Sequence, residues 1–156
     1  MIAVLQRVKS ARVIADGVLS GEIGQGLYIL LGVGKEDSEL DATALAEKIS
    51  KCRIFCDSED KMNLSVKDLS LSALVVSNFT LLANYAHGNR PDYFAGADKE
   101  LADRLYEFFK SELAKRIPRV QSGVFGADMQ TEMVTDGPVT IVMDSNVILR
   151  KTVTNE

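Results

Sequence analysis

The sequence predicts an α+β fold, layered α/β/β, in which mainly antiparallel β-sheets form a barrel-like core and two helices pack on one face. Three observations carry this. Asp16-Gly17 stands between two short apolar runs, a strong hairpin signal because a type I′ turn needs positive φ. The run "GLYILLGV", Gly26 to Val33, is unbroken and apolar, as expected of a central strand. Two later segments repeat apolar residues at helical spacing.

In chain order, "IAVLQRV" alternates as a strand and leads into the hairpin, and the buried strand follows. Ser38 and Asp41 then have capping-box spacing, and Leu45, Ile49 and Cys52 fall on one helix face beside Ala42 and Ala46. A short strand and a polar excursion lead to a second apolar run, Ala73 to Leu82, read as one strand. The loop after it carries Gly88, Pro91 and Gly96. Asp98 is placed to cap a helix whose Leu101, Leu105, Phe108, Phe109 and Leu113 share a face, and Pro118 ends it. Two closing strands, "MQTEMVTD" and "PVTIVMD", are separated by a tight turn at Asp136-Gly137-Pro138. From Ser145 onward the chain is polar and is expected to be loosely held, so one domain spans 1–145 with a tail at 146–156.

The 156 residues, 46% of them hydrophobic, suit one globular domain with its own core. The first ten residues lack the pattern of a secretory leader, and no apolar run is long enough to span a bilayer, which makes the cytoplasm the expected location. A net charge of −4 speaks against a general nucleic-acid binder and leaves room for recognition of one end of an RNA. Clusters such as Lys115, Arg116 and Arg119 read as solvated helix charge. Cys52 and Cys56 make no disulfide framework, and with His87 as the single histidine they lack partners for a zinc site. A catalytic triad would have to use His87, which sits in a glycine-rich turn. No nucleophile elbow, phosphate-binding loop or zinc-protease helix is present. No metal and no cofactor are therefore expected.

Two short stretches stand out. In "LVVSNFTLL", Leu74 to Leu82, three polar residues interrupt a strand pattern. Ser77 and Thr80 could bond local backbone at a strand end. Alternatively the strand could end in a pocket, where hydroxyls and free backbone N–H groups face a ligand as in an oxyanion hole. The residues alone leave both readings open. In "TDGPVT", Thr135 to Thr140, Gly-Pro offers carbonyls beside a residue with no side chain and one with no N–H, a rigid polar edge that could discriminate ligand shape.

Taken together, "SNFT" and "GPVT" resemble the paired Ser-Gln-x-Thr and Gly-Pro-Val-Thr motifs of the bacterial-type D-aminoacyl-tRNA deacylases. "QRV", "GEIGQGLYILLGV", "RIF", "KMNLSV" and "FGADMQ" fall in the expected order around them, so the resemblance covers essentially Met1 to Asp144. It implies an enzyme that hydrolyses the ester between a D-amino acid and the 3′-terminal ribose of tRNA, and also removes glycine from some tRNAs. It further implies a homodimer with each active site at the subunit interface, acting on the aminoacyl-tRNA 3′ end, with neither membrane nor DNA as partner. On that template Ser77, Asn78, Phe79 and Thr80 line the catalytic pocket, with the Phe79 and Thr80 N–H groups holding the carbonyl oxygen. Gly137 and Pro138, joined by a cis bond and followed by Val139 and Thr140, reach into the other subunit's pocket and exclude an L side chain. Arg7 holds that motif in place, and Phe125 and Met129 flank the terminal adenosine or the substrate.

The chemistry is compatible with a site lacking imidazole, because an activated ester needs little acid–base help. Steric exclusion at the α-carbon also needs no recognition of the side chain, which gives broad use of D-amino acids. Two departures stand against the family pattern: Asn78 where the motif has Gln, and "GNRPDYF" where a common form has Arg-Pro-Ser-Phe. A relative with relaxed chirality, a non-catalytic nucleic-acid-binding dimer and a plain small-ligand-binding dimer are the competing readings. The intact "GPVT" and Arg7 speak against the first, and the acidic charge against the second.

Overall fold

Strand β1 (Ile2–Ala15) is the axis around which the other strands are arranged. On one edge its first half pairs antiparallel with β3 (Gly26–Gly32) and its second half with β2 (Val18–Ile23). On the other edge β8 (Met129–Asp144) pairs antiparallel along nearly its whole length. The fold is a computed structural model, which describes residues 1–150. The Asp16-Gly17 turn joins β1 to β2 with Asp16 at φ 48°, as the hairpin signal requires.

Beyond β3 the sheet turns parallel. Helix α1 (Glu39–Ser50) and a small hairpin of β4 (Phe55–Cys56) with β5 (Met62–Leu64) intervene before β6 (Ser72–Ser77), which pairs parallel with β3. Helix α2 (Lys99–Ala114) then leads to β7 (Arg119–Ser122), parallel to β6. Parallel neighbours need such crossovers, and here the two helices pack against each other. The sheet is thus mixed, antiparallel around β1 and parallel around β6. It curls far enough that Ser20 Oγ donates to Ser122 O at 2.9 Å and Arg119 Nη2 to Glu22 O at 3.0 Å, bringing β2 toward β7.

Both faces of the central strands are buried, which is why β3 reads as an unbroken apolar run. Leu27, Ile29 and Leu31 join Leu45, Ile49, Leu105, Phe109 and Leu113 in the core beneath the helices. Tyr28 and Leu74 point the other way, into a second cluster with Val8, Ala11, Val13 and Ile23. Both helix starts are capped as the sequence indicates. Asp41 Oδ2 accepts from the Ser38 N–H at 2.9 Å, and Asp98 Oδ1 from the Leu101 N–H at 2.8 Å.

Tyr106 ties α2 to the sheet: its ring is buried and its hydroxyl donates to Val75 O at 3.0 Å. Burial pushes the phenol far above its usual range. A raised folded-state value means that this stabilisation is complete below the unfolded pKa of about 10 and is lost as pH rises beyond it. Tyr106→Phe is expected to lower stability by about 1 kcal/mol near neutrality, since Val75 O keeps the Gly123 N–H as a second donor. The variant should also flatten the decline above about pH 10. Denaturant melts on both sides of that pH check this; an equal alkaline decline in both proteins would refute it.

Three expectations are corrected. The run Ala73 to Leu82 is not one strand, because β6 stops at Ser77 and Phe79–Leu82 form a 3₁₀ turn capped by Asn78. Asp136-Gly137-Pro138 is not a turn between two strands, because the residues before and after it belong to the single strand β8 and pair with the same partner, β1. Ser145 is fully buried rather than loosely held: it opens a short helix α3 (Ser145–Ile148), and its hydroxyl donates to Asp41 Oδ1 at 2.7 Å. The rest of the expected tail, 151–156, lies outside the described residues. Among the described residues no helix is long and apolar enough to cross a membrane.

Candidate active site

Where β6 ends, the chain faces a cavity of about 510 Å³. Ser77, Asn78 and Phe79 line its polar end, with Val33, Ala97, Ala102, Phe125 and Met129 supplying apolar walls. The 3₁₀ turn reaches this position because it lies directly on the end of β3. A Cβ on Gly32 would come within 2.5 Å of Leu82 Cδ2 and 3.0 Å of Leu81 Cβ, so a side chain there would push the turn away. The Asn78 N–H donates back to Leu31 O at 2.8 Å, which fixes the exit from the sheet.

Within the turn Thr80 is committed to Asn78. Its N–H donates to Asn78 Oδ1 at 3.3 Å and its hydroxyl to the same oxygen. The Thr80 N–H, expected to hold a substrate carbonyl, is therefore turned toward its own chain, and Thr80, unlike Ser77 to Phe79, does not line the cavity. Phe79, first in the turn, has an N–H with no partner inside the turn. Its exposed ring meets Tyr93 edge-on at 5.0 Å, and the loop bearing Tyr93 is closed by paired backbone bonds between Asn84 and Asp92. Asn84 Nδ2 also donates to Asp92 Oδ2 at 3.1 Å. Of the two residues that depart from the family pattern, Asp92 thus closes this loop on itself and Tyr93 rests it against the turn.

On the far side, Phe125 leans on Tyr106 with ring centroids 5.9 Å apart. Met129 starts β8 and lies against Gly123. Lys99, on the first turn of α2, is the one ionisable side chain lining the cavity among the described residues. Sequence reading missed Lys99, Val33, Ala97 and Ala102; only the Asp98 cap hinted that a helix begins there.

Arg7, Gly137, Pro138, Val139 and Thr140 do not line this cavity within one chain. They form a second constellation. Gln6 pairs with Thr140 and Val8 with Thr135, so four residues of β8, Asp136 to Val139, stand opposite Arg7 alone. The excess is extruded as an exposed excursion in which the Gly137-Pro138 bond is cis. Buried Arg7 anchors its base: Nε donates to Asp136 O at 3.1 Å and lies 3.3 Å from Asp136 Oδ2, and Nη1 donates to Ile54 O at 2.7 Å. Val139 packs toward the core, and Thr140 Oγ1 donates to Gln6 Oε1 at 2.8 Å.

Neither cysteine is an evident nucleophile. Burial pushes the Cys52 thiol up, opposite to activation, and Cys56 is exposed in the small hairpin. His87 lies exposed in the loop after the 3₁₀ turn and does not line the cavity.

The family model for D-Tyr-tRNA(Tyr) deacylase matches residues 4–144, a span that holds both constellations. The chain belongs to this family. It is 51% identical over 145 residues to a D-aminoacyl-tRNA deacylase of Caldicellulosiruptor saccharolyticus, covering 93% of this chain and 97% of that one. Among solved structures, one described as a c-Myc DNA unwinding element binding protein superposes with a TM-score of 0.87 at 37% identity, over 92% of this chain and 98% of that one. A probable eukaryotic D-amino acid tRNA deacylase superposes with a TM-score of 0.79 at 15% identity, over 91% and 97%, and shares the fold. For a deacylase-family chain, the resemblance read from "SNFT" and "GPVT" is therefore borne out at the level of family and fold.

Proposed function

We propose that the protein is a D-aminoacyl-tRNA deacylase that hydrolyses the ester linking a D-amino acid to the tRNA 3′ end, and that it works in the cytoplasm as a homodimer. The observation that carries this reading is the division of the family's motif residues between two places in one chain. Ser77 to Phe79 line a cavity, while Gly137-Pro138 project from the surface beside Arg7. A second copy inserting its Gly137-Pro138 into the first copy's cavity would reunite them.

In that assembly the apolar walls, Phe125 and Met129, take the terminal adenosine, and the polar end receives the aminoacyl ester. Water attacks the ester carbonyl carbon, and the Phe79 N–H stabilises the oxygen on which negative charge develops. The C–O bond to the ribose then breaks, and the departing ribose oxygen takes a proton with help from the adjacent 2′-hydroxyl. Free D-amino acid and tRNA leave. Thr80 positions the water and does not attack, because an amide oxygen is too weak a base to activate it. The Gly137 and Pro138 carbonyls face the α-carbon, where an L side chain would clash and glycine fits. Lys99 in the cavity lining suits a nucleotide phosphate.

Release of amino acid from D-Tyr-tRNA, L-Tyr-tRNA and Gly-tRNA tests the reading. Rapid release from the D ester and Gly-tRNA with the L ester spared is expected. Equal rates on D and L esters would sink the chirality gate, and no release from any would favour a binding module. Thr80→Ala should keep measurable turnover, slowed by about 10- to 100-fold, as for loss of one positioning contact. Complete loss with tRNA binding intact would restore Thr80 as nucleophile.

A further inference from the structure

We infer that Asn78 is a positioning residue that acts through Thr80, taking up its hydroxyl proton in the turn so that the exposed oxygen is left as a hydrogen-bond acceptor. This rests on the deacylase reading above and assigns the amide a role that does not require it to touch substrate.

The assignment follows from hydrogen-bond chemistry. A backbone N–H can only donate, so the Asn78 atom 3.3 Å from the Thr80 nitrogen is the carbonyl oxygen and not the amide nitrogen. The Thr80 hydroxyl is in contact with that same oxygen. Facing an acceptor, it must donate. Its proton is therefore spent inside the turn, and Oγ1 presents only lone pairs outward. Such a hydroxyl cannot donate to an ester carbonyl or an oxyanion. It can accept a hydrogen bond from an attacking water and so orient that water's own lone pair.

Side-chain length is decisive. Asn closes this local ring because its side-chain carbonyl reaches the N–H two residues on and mimics the carbonyl of a backbone turn. The extra methylene of Gln does not match that geometry. Asn78 is also the cap of the 3₁₀ turn, with extended backbone at φ −146° and ψ 93°, so one side chain sets both the turn and the hydroxyl. The departure from the family's Gln is then a different way of orienting Thr80, not a shortened arm toward the substrate.

Two measurements test this. The first is hydrogen exchange of the Thr80 amide in the free protein, followed by NMR. Thr80 is exposed, so its protection depends on Asn78. Exchange should speed up by about tenfold or more in Asn78→Ala and Asn78→Gln and stay slow in Asn78→Asp, which keeps an acceptor at the same reach. The second is a double-mutant cycle on D-Tyr-tRNA hydrolysis. Asn78→Ala should lower kcat by about tenfold with KM little changed, and the loss should shrink to under about twofold when Thr80→Val is already present. If the Asn78→Ala loss persists undiminished beside Thr80→Val, or if wild-type Thr80 exchanges as fast as the Ala variant, the inference is overturned. Should Thr80→Val abolish turnover, the exchange comparison decides. Failure of the wild type to release any amino acid would instead sink the deacylase reading, and exchange would still judge the Asn78–Thr80 contact.

Discussion

Arg7→Ala is expected to cost about 2–4 kcal/mol of stability and to erase most of the preference for D over L esters. Arg7 is buried where one residue of β1 faces four of β8, and its guanidinium holds two backbone carbonyls, those of Asp136 and Ile54. Hydrogen bonds from a charged donor contribute roughly 1.5–3 kcal/mol each, and the truncated variant leaves both carbonyls short of a partner. The base of the Gly137-Pro138 excursion then loses its anchor. Arg7→Lys should recover only part of the effect, because a single ammonium cannot reproduce the planar fork. Denaturant unfolding combined with the ratio of D-Tyr-tRNA to L-Tyr-tRNA hydrolysis checks both halves. A stability loss with an unchanged ratio would confine Arg7 to a structural role.

The second large effect belongs to Gly137→Ala, with D-Tyr-tRNA hydrolysis falling by about 100-fold, the penalty for misplacing a positioning group by roughly an ångström. Gly137 has φ 133°, a region that L side chains rarely adopt, and an added Cβ would lie 2.7 Å from the Val139 nitrogen and 2.9 Å from its Cγ2. Val139 packs toward the core, so the excursion must yield instead. Because the excursion is exposed, the melting temperature should move far less than activity does. Comparing the two in one preparation tests this; equal damage to fold and turnover would show that Gly137 serves the fold alone.

How far such residues were legible in the sequence depended on whether the signal was local. Asp16-Gly17, the Ser38 and Asp98 caps and the two-faced β3 each state their structure within a few residues, and each is found as read. Phe79–Leu82 was not legible in this way. Four residues reading "FTLL" suit a strand as well as a 3₁₀ turn, and Asn78 favours the turn by accepting from the Thr80 N–H. Asp136-Gly137-Pro138 looked like a hairpin turn because a sequence does not reveal that the residues on both sides pair with β1 and not with each other. The parallel pairing of β6 was hidden for the same reason. Ser145 read as tail because its burial depends on Asp41, over a hundred residues away. The motif residues themselves were all visible, but their division between a cavity and a separate excursion came only from the family resemblance and not from the residues read alone.

That excursion has a consequence for how such a protein can change. Its two ends are clamped by pairings on either side, Gln6 with Thr140 and Val8 with Thr135, so the sheet continues whatever lies between them. The exposed tip between them can therefore change without shifting the register of any strand. On the proposed reading, the surface that meets the substrate is a cassette mounted on the sheet and tied to it through Arg7. A lineage could retune which esters it spares through a handful of codons while the pairing of β1 with β8 stays in place.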